Sequence, residues 1–238
     1  MGRLGFWLGR RCLACGQSLS GGEGLTGCCS QCAAALQPRL GGYCPLCGSV
    51  YAQSGEPPGL CLDCLAAGRP WDGFGFHHVY QGLLRDLILA WKFQGELGYS
   101  LLLRELLVSA FERHLHRERF DLVVPVPIHQ ARLRQRGFNQ SLELARSLVR
   151  KQRIPLGANA LRRWKNTPPQ TGLSRRERQS NLRGAFRGSV EQIDGRSVLL
   201  VDDIYTTGAT VKACAAAIRK AGARRVSVLV LARAMENW

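Results

Sequence analysis

Asp202 and Asp203 stand side by side after the apolar run "VLLV", and "IYTTGAT" follows them at 204–210. Adjacent carboxylates at the end of a buried strand are acceptors for hydroxyl groups. The loop behind them offers the opposite chemistry. Its backbone N–H groups and the start of a helix near Ala209 form an anion site, and Thr206, Thr207 and Thr210 add hydroxyl donors. Gly208 lets the backbone approach a phosphate closely. A ligand with vicinal hydroxyls and a phosphate satisfies both halves, which describes a ribose 5-phosphate. Neither the Walker pattern nor G-x-G-x-x-G stands at this junction, against a nucleoside triphosphatase or a dinucleotide enzyme.

A second constellation lies at the other end of the chain. Cys12, Cys15, Cys29 and Cys32 read C-x2-C-x13-C-x2-C, and Cys44, Cys47, Cys61 and Cys64 repeat that pattern 32 residues later. Gly16 recurs as Gly48, Gly27 as Gly59, Ala34-Ala35 as Ala66-Ala67 and Pro38 as Pro70, so one small unit is duplicated. Each C-x2-C turn presents two thiolates to one tetrahedral metal, with zinc as the fitting ion. Units this poor in large apolar residues draw their folding free energy from the metal. Thioredoxin-like redox sites also use C-x-x-C, but once, at a helix start in a βαβ setting. Two structural zinc ions are therefore expected, paired either within each unit or across the two. Cys28 has Leu60 as its repeat partner and stays outside the ligand set, and Cys214 reads as a small core residue.

The net charge of +16 points to a polyanionic partner. It is concentrated: residues 117–187 hold seventeen Lys/Arg against four Asp/Glu, whereas residues 1–70 hold five against three. The best membrane candidate, "SLLLRELLVSAF" (100–111), is too short and carries Arg104 and Glu105. The basic residues of "MGRLGFWLGRR" mostly follow its short apolar run, which makes a poor signal peptide. A cytoplasmic protein with reduced or metal-bound cysteines is expected.

The elements that must position these groups alternate. Strands are expected at 74–80, 121–128, 197–203 and 225–232, and helices at 82–93, 97–115, 139–152 (with Asn139 as N-cap) and 209–221, stopped by Gly222. A strand end at 161 leads into an exposed loop around Pro168-Pro169, and Ser174 to Glu177 matches a capping box. Such alternation implies an α/β fold, a mainly parallel sheet covered on both faces, behind the small cysteine-rich unit. The boundary falls at residue 70, giving units 1–70 and 71–238.

At the strand–loop–helix segment the sequence resembles the type I phosphoribosyltransferases, whose 13-residue motif runs from apolar positions through two acids to a threonine/glycine loop. The resemblance implies that Asp202 and Asp203, the catalytic pair, hold the ribose of 5-phosphoribosyl 1-pyrophosphate (PRPP), while Thr206, Thr207, Gly208, Ala209 and Thr210 hold its 5′-phosphate. Taken whole, the chain resembles the ComF family (the competence ComF/GntX-type group), a double zinc ribbon followed by a phosphoribosyltransferase domain. Val124-Pro125-Val126-Pro127-Ile128-His129, the segment Arg132 to Gln140, Thr167 to Phe186 and "WKFQGE" (91–96) all match that family's motifs.

That resemblance implies Mg²⁺-bound PRPP as ligand and a role in natural transformation, with incoming single-stranded DNA and other competence or recombination proteins as partners. It leaves open a transferase acting on a nitrogenous acceptor and a non-catalytic PRPP-sensing regulator. The loop after the 121–128 strand is where phosphoribosyltransferases bind pyrophosphate, which makes Arg132, Arg134 and Arg136 candidates for neutralising it. The 162–178 loop corresponds to a closing lid, with Lys165, Thr167, Gln170 and Arg175 as candidate closing residues. His129 is read as a hydrogen-bonding loop residue before a catalytic one.

Overall fold

The computed structural model describes residues 11–19, 27–51, 53–164, 182 and 184–235, with only the backbone at 135. At its centre lies a four-stranded sheet in the order β1-β6-β5-β2, built from β1 (Gly73–Val79), β2 (Leu122–Pro125), β5 (Ser197–Tyr205) and β6 (Arg225–Arg233). Every pairing in it is parallel. Strands β5 and β6 are apolar runs because both faces are covered. Leu199, Val201, Leu229 and Leu231 pack against α3 (Gly82–Phe93), α4 (Ser100–His114) and α6 (Gln140–Gln152). On the other face Val198, Leu200, Val228 and Val230 meet α8 (Ala209–Lys220) and the two-stranded hairpin β3 (Leu161–Arg163) with β4 (Phe186–Gly188). A single helical turn, α7 (Val190–Ile193), leads from the hairpin into β5.

The expected helices at 82–93, 97–115, 139–152 and 209–221 are present within a residue or two, the second entered through a 3-10 turn at Leu97–Tyr99. Asn139 caps α6 as expected, its Oδ1 accepting from the Ser141 N–H at 3.1 Å. Three expectations are corrected. The strand expected over 121–128 spans only Leu122–Pro125, since prolines at 125 and 127 remove ladder donors. The strand expected to end at Asp203 continues to Tyr205, because Ile204 and Tyr205 still pair with Ala232 and Arg233 on β6. The expected arginine loop is a helix, α5 (Gln130–Arg136), capped by His129 and ended by Gly137 at φ 77°.

The duplication read from the cysteines is also a duplication of structure. Bridges join Arg11 to Ser18 and Tyr43 to Val50, and short helices α1 (Ser30–Ala35) and α2 (Leu62–Ala67) follow at the same offset. Gly16 and Gly48 turn each knuckle at φ 75° and 67°, donating to Cys12 O and Cys44 O respectively. The first unit, with buried Cys28 and Leu36, joins the core beneath α3. The second packs on the opposite face through Tyr43, and Trp71 Nε1 donates to Leu46 O at 2.6 Å. No helix among the described residues is long and apolar enough to cross a membrane.

Candidate ligand site at the carboxyl end of the sheet

Asp202 and Asp203 are each only 8% exposed at the carboxyl end of β5. Two different elements serve them. The Ser141 hydroxyl, on the first turn of α6, donates to Asp202 Oδ1 at 2.8 Å, and the same oxygen takes the Asp203 N–H at 2.9 Å. Lys92, near the end of α3, brings its Nζ to 2.7 Å from Asp203 Oδ2. Burial and the neighbouring Asp203 carboxylate push Asp202 up to about 7, against the Ser141 hydroxyl and the Lys92 ammonium, which pull it down.

The end of α3 is shaped for this cleft. Trp91 packs on Phe138 with ring centroids 5.4 Å apart, Lys92 reaches Asp203, and Phe93 lies under the Arg136 guanidinium at 4.7 Å. Arg136 is half-buried; burial lowers its pKa, and the Asp203 carboxylate opposes that. Its Nη1 lies 3.5 Å from Gln140 Oε1, while Gln140 Nε2, buried, has no hydrogen-bond partner among the described residues. A buried unpaired donor beside an arginine favours an acceptor there. Asn139 Nδ2 donates to Val126 O at 3.2 Å and ties the α5–α6 corner back to the exit of β2.

Alternate spacing in a helix separates what a loop would gather. At about 100° per residue, Arg132 and Arg136 share a face of α5 and Arg134 lies on the other side. Arg134 is exposed, and Arg132 lies within electrostatic reach of Arg136 and Arg163. His129 accepts from the Ala131 N–H through Nδ1 at 3.2 Å, a capping contact. Lys165, Thr167, Gln170 and Arg175 lie outside the described residues, as does the Ser174 to Glu177 segment.

Behind the acids, residues 206–208 form the bend that Gly208 closes as the N-terminal cap of α8 at φ 73°. A side chain there would be strained and would also strike the Tyr205 ring, so this glycine is fixed by its own neighbour. Thr206 is exposed, Thr207 and Thr210 are half-buried and Ala209 is buried. Arg233, at the end of β6 and 3% exposed, was not legible as a site residue. Its guanidinium donates to Thr206 O at 3.0 Å and to Cys47 O at 3.2 Å, and lies 4.7 Å from the Tyr205 ring centroid. The loop and the second cysteine unit are thus held by one side chain. Lys92, Ser141 and Gln140 were equally unassigned from sequence, although the "WKFQGE" motif includes the first and the Arg132 to Gln140 motif ends on the last.

Each cysteine quartet closes on itself, with the four Sγ atoms within 4.8 Å of one another. Cys15 and Cys29 are 3.9 Å apart and Cys47 and Cys61 3.7 Å. Those separations suit the edge of a tetrahedron with bonds near 2.3 Å, about 3.8 Å. In the second quartet the Cys47 thiol holds Cys44 down to about 4 and is itself pushed up in return. Four Sγ atoms gathered this closely fit a metal that displaces the thiol protons.

Residues 138–238 match the family model for the phosphoribosyl transferase domain. Competence protein F of Haemophilus influenzae is 34% identical over 232 residues, 94% of this chain and 97% of that protein. DNA utilization protein YhgH of Escherichia coli K12 is 34% identical over 235 residues, 96% of each. Competence protein ComFC of Bacillus subtilis is 28% identical over 215 residues, 86% of this chain and 83% of its own. Identity at this level, sustained nearly end to end and set on a phosphoribosyltransferase domain behind two four-cysteine units, means that the chain belongs to the ComF family.

Proposed function

We propose that this protein binds PRPP with Mg²⁺ in the cleft between α3, α6 and the 206–210 loop, and that it handles single-stranded DNA in the cytoplasm during DNA uptake. The observation that carries the first half is a buried acid pair facing an anion loop, with Lys92 and Ser141 already holding the acids. Asp202 and Asp203 accept from the ribose hydroxyls, and Thr206, Thr207, Gly208, Ala209 and Thr210 donate to the 5′-phosphate. Arg136 and Arg132 take the diphosphate together with the Gln140 amide. Arg134 is a weaker candidate, and Lys165, Thr167, Gln170 and Arg175 complete the lid. Mg²⁺, when bound with PRPP, would offset the negative charge of the diphosphate that Arg132 and Arg136 hold. Each quartet holds one structural zinc ion, and the chain divides into a ribbon unit at 1–70 and a phosphoribosyltransferase unit at 71–238. The relatives' names, a competence protein and a DNA utilization protein, support the second half, as does the concentrated positive charge.

The raised Asp202 has a consequence for pH. A carboxyl near 7 accepts from two hydroxyls at full strength only after it loses its proton, because the ionised form has both oxygens free as charged acceptors. PRPP affinity therefore rises with pH up to about 7, approaching tenfold per unit below it, and levels off above. The same shift means that, between the unfolded value near 3.8 and about 7, ionisation favours the unfolded chain. Asp202→Asn should accordingly stabilise the ligand-free protein above pH 7 by about 1–2 kcal/mol while weakening PRPP. Calorimetry across pH 5.5–8.5 and urea unfolding at pH 8 check both signs. A flat affinity profile would mean that Asp202 takes no part in binding.

DNA binding is tested by salt. A strand crossing several cations loses counterions with a log–log slope of about −0.7 per phosphate neutralised. About three to six such contacts are expected, without marked sequence preference. An oligonucleotide that fails to bind even at roughly 50 mM salt would remove the DNA half and leave PRPP chemistry alone.

A further inference from the structure

The four oxygens of the acid pair are not equivalent. Asp202 Oδ1 takes two donors, the Ser141 hydroxyl at 2.8 Å and the Asp203 N–H at 2.9 Å. Two donors fill the lone pairs of one carboxylate oxygen. Asp203 Oδ2 is taken by the Lys92 ammonium at 2.7 Å. The other two oxygens, Asp202 Oδ2 and Asp203 Oδ1, have no hydrogen-bond partner among the described residues. Each residue keeps 8% exposure, so the pair still opens to the cleft. One free acceptor per acid is the number that two vicinal hydroxyls need.

Ser141 decides which Asp202 oxygen is the free one. It is 4% exposed on the first turn of α6, and its backbone is fixed because its N–H donates to the Asn139 cap. A carboxylate turns readily about its terminal bond, whose wells are broad and two-fold. With both donors on Oδ1 that turn breaks two hydrogen bonds, and with the Asp203 N–H alone it breaks one. We propose that Ser141 is the positioning residue that makes this site selective for ribose over 2-deoxyribose, with Lys92 fixing Asp203 in the same way. A sugar lacking one hydroxyl leaves one buried acceptor unmatched, whereas ribose matches both. The inference rests on the PRPP reading and adds what the site excludes. A 5′-phosphorylated DNA end carries the phosphate and the ring of the ligand without the 2-hydroxyl, so in a protein that handles DNA it is the competitor turned away.

The test is competition of ribose 5-phosphate and 2-deoxyribose 5-phosphate against labelled PRPP with Mg²⁺ at pH 8, on the full chain. The parent should prefer ribose 5-phosphate by roughly 10–100-fold, the worth of one hydrogen bond to a charged acceptor. Ser141→Ala should cut that preference at least about fivefold by weakening ribose 5-phosphate, leaving 2-deoxyribose 5-phosphate within about twofold. Alanine is small and favours a helix, and Asp202 Oδ1 keeps the Asp203 N–H, so this variant should fold with both zinc ions in place. Ser141→Thr, which keeps the hydroxyl, should keep the preference. Equal weakening of both sugars in Ser141→Ala would make the serine merely structural and overturn the inference, and so would an unchanged preference. A parent that binds PRPP yet takes both sugar phosphates equally would overturn it while the PRPP site stands. A parent that does not bind PRPP removes both.

Discussion

Replacing Cys44 and Cys47 together with serine is expected to leave one zinc ion per chain where the parent has two, and to unfold the second unit. The second quartet draws its ligands from residues 44–64 alone, so the first site should keep its ion. Structural zinc contributes on the order of 10 kcal/mol to units of this size, more than the surrounding apolar contacts can replace. The damage should reach the ligand cleft. Cys47 O is one of the carbonyls that fixes Arg233, and Arg233 also holds Thr206 O. PRPP affinity should therefore fall although no ligand contact has been changed. Cys12→Ser with Cys15→Ser should also remove one ion, but loosen the underside of α3 instead. Metal analysis of the purified variants checks this. Loss of both ions from either double variant would contradict self-contained sites, and a parent without metal when purified under reducing conditions would contradict the zinc reading itself.

Lys92→Met should destabilise the ligand-free protein by about 3–5 kcal/mol, the usual cost of stranding one member of a buried pair. Lys92 and Asp203 side chains are only 11% and 12% exposed, so water cannot replace the lost partner. Adding Asp203→Asn should restore most of that loss, since it removes the stranded charge. Urea unfolding of the two single variants and the double variant closes the cycle. A loss below about 1 kcal/mol for Lys92→Met would mark the pair as no stronger than a surface bridge.

Much of the scaffold was legible in the sequence because its elements are strongly periodic or strongly apolar. The α3 pattern gave both ends correctly, and the cysteine spacing foretold a structural repeat that extends to backbone bridges and knuckle glycines. Helix α5 was not legible: its only large apolar residue, Leu133, is 40% exposed, so no amphipathic stripe marks "QARLRQR". Its ends are set by the His129 cap and Gly137, and the helix in turn separates Arg134 from Arg132 and Arg136. The two extra residues of β5 were hidden because their pairing belongs to β6. The acids and the threonine loop were visible as a contiguous motif. Their holders were not, because Lys92, Ser141 and Arg233 lie far away in sequence and are brought in only by packing of α3, α6 and β6 around the sheet.

A PRPP site formed by the Asp202–Asp203 pair and its loop requires both acids to be charged acceptors. Titration calorimetry with Mg²⁺ and PRPP on the parent and on Asp202→Asn/Asp203→Asn at pH 8 tests it most directly. The double variant keeps the shape of both side chains and removes the charge that accepts from the ribose hydroxyls. Affinity should fall by about 2–4 kcal/mol, the worth of two charge-assisted hydrogen bonds, with both zinc ions retained. Equal affinity in parent and variant would contradict it and assign the two acids to the fold alone.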